Sequence, residues 1–241
     1  MIGLGTIVNA GVIVAGSLAG LFIKNGIPQR FKDTVMQGIG LSVLIIGISG
    51  ALQGIYRVTE SGSLDRMYIM TMILSLVIGG IIGELIDIED KLDKLGRLVQ
   101  KKFSKSDGNF VEGFITASLV FCVGAMAIVG ALEDGLTGNA GTLYAKSILD
   151  GISSVIFSAT MGVGVLLSAL PVLVYQGIIT LLAGLIKPWL TDVVVSQISL
   201  VGSVLIMAIG LNMLDIKKIK VGNLLPAMFM PLVFYIIISI F

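Results

Sequence analysis

The chain has 241 residues, 56% of them hydrophobic and only 13% charged, with a net charge of +1. Soluble domains carry about 25% charged residues, so this balance, with several apolar runs near membrane-spanning length, describes an integral membrane protein. A net charge of +1 says nothing about nucleic acid, and no basic patch with interleaved aromatics points to it, so no nucleic-acid partner is expected. The absence of histidine removes the commonest metal ligand and general base, and a single cysteine, Cys122, excludes an intrachain disulfide.

Residues 2–23 form the first span. No Lys or Arg precedes the apolar run, which separates it from a signal peptide. Gly5, Asn9, Gly16 and Gly20 share one helical face, and Gly16 with Gly20 lets another backbone approach closely. A basic loop with Lys24, Arg30 and Lys32 leads to the second span, residues 34–54, which carries Gln37 near its start. A charged loop with Arg57 and Arg66 precedes the third span, residues 67–86.

Residues 87–105 are different. Ile88, Leu92, Leu95, Val99 and Phe103 recur at helical spacing among charged residues. Acids gather at the start of this segment and lysines at its end, which suits the helix dipole. It reads as an amphipathic helix on the membrane surface, either an interfacial anchor or a partner-binding element. The fourth span is residues 111–132, bounded by Glu112 and by Glu133–Asp134.

The functional reading turns on the fifth span, residues 147–167. Wound as a helix, Ser147, Asp150, Ser154, Ser158 and Ser168 fall within about 80° of one another. Asp150 sits near one end of the span so drawn. Residues 147–186 would make one helix of about 60 Å, twice the hydrocarbon thickness of about 30 Å. A reversal is therefore placed at Ser168–Pro171, and residues 169–186 become the sixth span. The seventh is 193–214, with Gln197 and Asn212, and the eighth is 221–241, with Pro226 and Pro231 expected to kink it.

Charge supports eight spans. With the reversal, alternate loops hold 12 Lys/Arg on one side and 4 on the other; without it the division is 10 to 6. The positive-inside rule prefers the sharper asymmetry, which places both termini outside the cytoplasm. Ser42–Ile45 recurs as Ser203–Ile206 in a span of opposite sense, the pattern an inverted repeat would leave.

Enzyme chemistry finds little to work with. Gly162-Val163-Gly164 lacks the third glycine and flanking strand of a dinucleotide turn, no facing carboxylate dyad is evident, and no ligand cluster suggests a metal or other cofactor. What remains is a hydroxyl- and carboxamide-lined path: Asp150, Ser154, Ser158 and Ser168, met by Tyr175 and Gln176, with Asn9, Gln37 and Asn212 from other helices. Such a lining suits a small ion or polar solute. With no carboxylate placed at the centre of a span, the usual proton relay through Asp or Glu is disfavoured.

The runs Gly113–Ile128, Thr142–Gly151 and Leu170–Gly177, with Gly5–Asn9 and Leu224–Ala227, resemble the bacterial inner-membrane family typified by YqgA and YdfK. The resemblance covers nearly the whole chain. The family is a domain of unknown function that usually carries a transport label; the resemblance implies a bacterial plasma-membrane location and supplies no substrate and no functional residues. Together these readings describe an all-α polytopic membrane protein, a single integral domain packed closely within a protomer or in a homo-oligomer. It is expected to be a transporter or channel, or else a scaffold or sensor acting through the surface helix.

Overall fold

The computed structural model describes residues 1–24, 28–58, 62–91, 94, 110–122 and 125–240. Of the expected surface helix, only residues 87–91 and 94 fall among them; the rest of 87–105 lies outside the described residues. Among the described residues the regular structure is helical apart from one hairpin. The helices are α1 (Leu4–Lys24), α2 (Gln29–Ile55), α3 (Ile69–Ile86), α4 (Phe110–Cys122), α5 (Ala125–Thr137), α6 (Gly141–Met161), α7 (Gly164–Leu167), α8 (Ala169–Leu181), α9 (Ala183–Ile186), α10 (Asp192–Met213), α11 (Val221–Leu224) and α12 (Met230–Ile240). A 3-10 segment, Leu225–Phe229, joins the last two, with Pro226 in its first turn. Tyr56–Val58 and Leu64–Arg66 pair antiparallel between α2 and α3, with Arg57 opposite Asp65, where a short charged loop is expected.

Six stretches among the described residues are long and apolar enough to cross a membrane: 4–23, 33–55, 69–86, 164–181, 192–213 and 221–239. The pair α4 and α5, bent by 60° at the break, makes a seventh if taken as one span. The protein is thus an all-α polytopic membrane protein. The remaining expected span, the fifth, is α6. It is as long as α1, at 21 residues, but Lys146 and Asp150 lower its hydropathy below that of its neighbours.

Where one integral domain is expected, contacts gather in two compact units. The first comprises residues 1–36 and 91–187, the second residues 37–90 and 188–241. In the first unit α1 lies along α6, and the two run parallel. Beta carbons added at Gly5, Gly16 and Gly20 would meet Leu143, Ser154 and Val155 in turn. The bent pair α4–α5 runs the other way, Gly113 facing Met161 and Gly130 facing Leu143. Phe110, Phe121, Leu143, Met161, Val165 and Val172 form the buried centre of this unit. The Phe121 and Phe157 rings stack there at 5.9 Å.

In the second unit α2 packs antiparallel on α10, Gly47 against Met207 and Gly54 against Leu200. The echoing segments Ser42–Ile45 and Ser203–Ile206 therefore belong to one antiparallel pair. A beta carbon added at Gly79 of α3 would fall 2.3 Å from the Ala227 backbone and one at Gly83 1.8 Å from Asn223 O, so α3 closes on the last span.

The sixth span does not begin at Ser168–Pro171. The chain turns at Gly162, with φ 88 and ψ −157. The helical run then continues from Gly164 to Leu181. That backbone region is essentially restricted to glycine, so Gly162 can terminate α6 where a proline cannot. Pro171 instead occupies the first turn of α8, where a missing N–H costs little.

Candidate functional site

The fifth span also begins earlier than expected. Gly141 opens α6, and Asp150 is consequently its tenth residue of 21, midway along the helix and not near its end. Asp150 is buried, and so is Lys146 one turn before it. The Lys146 ammonium donates to Asp150 Oδ2. This partner is missing from the sequence reading because the span boundary left Lys146 in a loop; i,i+4 spacing is the signal that identifies it.

α1 and α8 complete the cluster. Asn9 Nδ2 donates to Asp150 Oδ2 at 3.1 Å and to Gln176 Oε1 at 3.3 Å. Both carboxamides are fully buried, and Asn9 Oδ1 and Gln176 Nε2 are left without a hydrogen-bond partner. One turn away on the same helices, the Thr6 and Thr180 hydroxyls meet at 3.5 Å. The structure thus brings Asn9, Asp150 and Gln176, three of the residues singled out in the sequence, onto one point of the first unit and adds Lys146. Buried polar groups are normally satisfied, so the two open amide atoms mark the place where a ligand or water has something to bind.

The serines behave differently. Ser154 donates to Gly151 O at 2.8 Å and Ser168 to Val165 O at 2.6 Å, each within its own helical run. Ser147 does the same with Leu143 O. Ser154 and Ser158 lie against Gly16 and Gly20 of α1; a beta carbon at Gly16 would stand 2.3 Å from Ser154 Oγ. Ser158 Oγ is buried without a partner. The hydroxyl stripe therefore sits in a close helix–helix seam. Ser168 falls beyond the turn at Gly162, on another segment from its expected neighbours. Tyr175 is half-buried on α8 beside Gln176.

Gln37 and Asn212 belong to the second unit. Gln37 is exposed. Asn212 clasps the loop after α10: its Nδ2 donates to Ile219 O and its Oδ1 accepts from Ile219 N, both at 2.8 Å.

Three further features escaped the sequence reading. Asp134 is fully buried and accepts from the amides of Gly3 (3.2 Å) and Gly5 (3.1 Å), capping α1 from another helix. A carboxylate there satisfies two orphan N–H groups and complements the helix dipole. In the second unit, buried Asn223 donates to Glu84 Oε2 and accepts from the Glu89 amide, both at 2.6 Å. Lys220 joins the same knot at 2.5 Å from Glu84 Oε1, and the Glu84 carboxylate holds its ammonium pKa above the ordinary lysine value. Finally, an open cavity of about 390 Å³ lies at one end of the second unit, lined by Gln53, Arg57, Tyr68, Asp192 and Ser196 among others.

A family described as "Protein of unknown function (DUF554)" matches residues 4–236. The chain is 37% identical over 237 residues to "Uncharacterized membrane protein YdfK" of Bacillus subtilis (strain 168), spanning 98% of this chain and 97% of that one. It is 29% identical over 230 residues to "Uncharacterized protein YqgA" of Escherichia coli (strain K12), spanning 93% of each. No solved structure matches the chain.

Proposed function

The chain belongs to the DUF554 family of membrane proteins, and from the buried cluster in its first unit we propose that it moves a small ion or polar solute across a bacterial plasma membrane. One observation carries this reading. An ion pair and two carboxamides are buried together among apolar helices, with one amide donor and one amide acceptor left open. Ionisable groups at membrane depth are expensive and usually mark a transport path. A purely structural bridge between helices would close its own hydrogen bonds.

In this reading Asp150, Lys146, Asn9 and Gln176 hold the solute. Ser154, Ser158 and Ser168 serve helix packing and do not line the path. The helix directions in the first unit fit eight crossings, α6 counted as one. The lysine-rich loops then face the cytoplasm and both termini lie outside. Catalysis has no place in this proposal, and neither does a cofactor. Open glycines such as Gly11 and Gly177, with nothing within 4 Å of an added beta carbon, leave room for a second copy of the chain.

The test is flux into proteoliposomes from a panel of inorganic ions and small polar solutes. A hydrogen bond to a charged group is worth about 1.5–3 kcal/mol, so Asp150→Asn should cut flux by about tenfold or more. Asn9→Ser, which leaves the ion pair intact, should give a smaller loss. Flux unchanged in both folded variants, or absent for every solute in the wild type, would sink the proposal.

A further inference from the structure

The cargo class can be read from which oxygens of the cluster are used and which are open; this step rests on the transport reading above. Lys146 and Asn9 both reach Asp150 through Oδ2. Among the described residues Asp150 Oδ1 accepts nothing. Asn9 commits both amide hydrogens, one to Asp150 and one to Gln176, so its own Oδ1 is buried and open. Gln176 Oε1 accepts a single bond of 3.3 Å. The cluster therefore sets hard oxygens around one ammonium, with Gln176 Nε2 as the one open donor beside them. A lysine ammonium is a compact point charge on a flexible stem, able to swing away without disturbing its helix.

We propose that the Lys146 ammonium holds the place of a transported alkali cation, which the oxygens of Asp150, Asn9 and Gln176 bind when the Lys146 side chain swings aside. Charge selects a monovalent ion. With the Lys146 ammonium withdrawn from the cluster, one carboxylate balances one positive charge, whereas a divalent ion in the same place would leave a net charge at membrane depth. No group of three or more His, Cys, Asp or Glu that could hold a metal ion occurs among the described residues, which disfavours the acid-rich shells of calcium and the His/Cys shells of transition metals. An anion would meet the Asp150 carboxylate and the open carbonyl of Asn9.

The experiment compares purified wild type, Lys146→Gln and the double variant Lys146→Gln/Asp150→Asn. Each is unfolded thermally at fixed pH in lithium, sodium, potassium or choline chloride at equal ionic strength. The expected result is that Lys146→Gln unfolds about 5 °C higher in one alkali salt than in choline, saturably, and that the double variant shows no difference. The proposal is overturned if Lys146→Gln unfolds alike in all four salts. Should Lys146→Gln not fold, retention of radioactive sodium and rubidium is measured on wild type and Asp150→Asn. Higher retention by the wild type supports the site, and equal retention refutes it. Alkali-specific stabilisation without vesicle flux keeps the site and removes transport. Solute flux without alkali specificity keeps transport and removes the site.

Discussion

Gly16 lets the backbones of α1 and α6 approach so closely that a methyl group has nowhere to go. A beta carbon there would lie 2.3 Å from Ser154 Oγ and 2.5 Å from Gly151 O, one of them an immobile backbone atom. Overpacking of this kind costs about 1–3 kcal/mol. Gly16→Ala should therefore lower the unfolding temperature in detergent. Gly11 lies on the same helix with open space around its alpha carbon. Gly11→Ala should leave stability unchanged or raise it by about 0.5–1 kcal/mol through helix propensity. If both variants melt like the wild type, the close α1–α6 seam is wrong. The pair also tests how the serines are read, because a hydrated stripe would accept the methyl group at Gly16.

At the scale of elements, what matters is where helices stop. The stretch from Gly141 to Leu181 is too long to be one span, and it reverses at Gly162 because only glycine adopts φ 88 with ψ −157 without strain. Gly162→Ala should destabilise by about 1–3 kcal/mol, and the loss should appear as reduced folded yield and a lower melting temperature. Gly177→Ala, on an open helical face, is the control and should be silent. The stop at Gly162 also fixes the register of α6, which places Asp150 at its midpoint. The disfavour toward proton relays loses its ground with that shift, since it depended on Asp150 lying near an end. At the start of α1, Asp134 supplies the acidic cap that the helix lacks in its own first turn.

For the molecule as a whole, the division into two units assigns the chemistry. The buried ion pair and both open carboxamides belong to the first, while the hairpin, the Glu84–Asn223–Lys220 knot and the open cavity belong to the second. The proposed orientation puts the hairpin outside and the Lys217–Lys220 loop inside. A cysteine at Ser63 should react with a membrane-impermeant maleimide on intact cells, and one at Lys218 only after permeabilisation. The opposite pattern would invert the topology and the side from which the cluster is loaded.

Composition alone made this a multi-pass helical membrane protein, because a chain with 13% charge and repeated apolar runs has no other way to bury its surface. Sequence also picked out Asn9, Asp150 and Gln176, since isolated polar side chains in such runs are costly wherever they point. It could not say that these three converge, because their separations of 141 and 167 residues are closed only by the packing of α1 against α6 and α8. Nor could it separate them from the serines. A hydroxyl can satisfy itself on its own helix, whereas a carboxylate or carboxamide needs a neighbour, and only tertiary structure decides which neighbour that is.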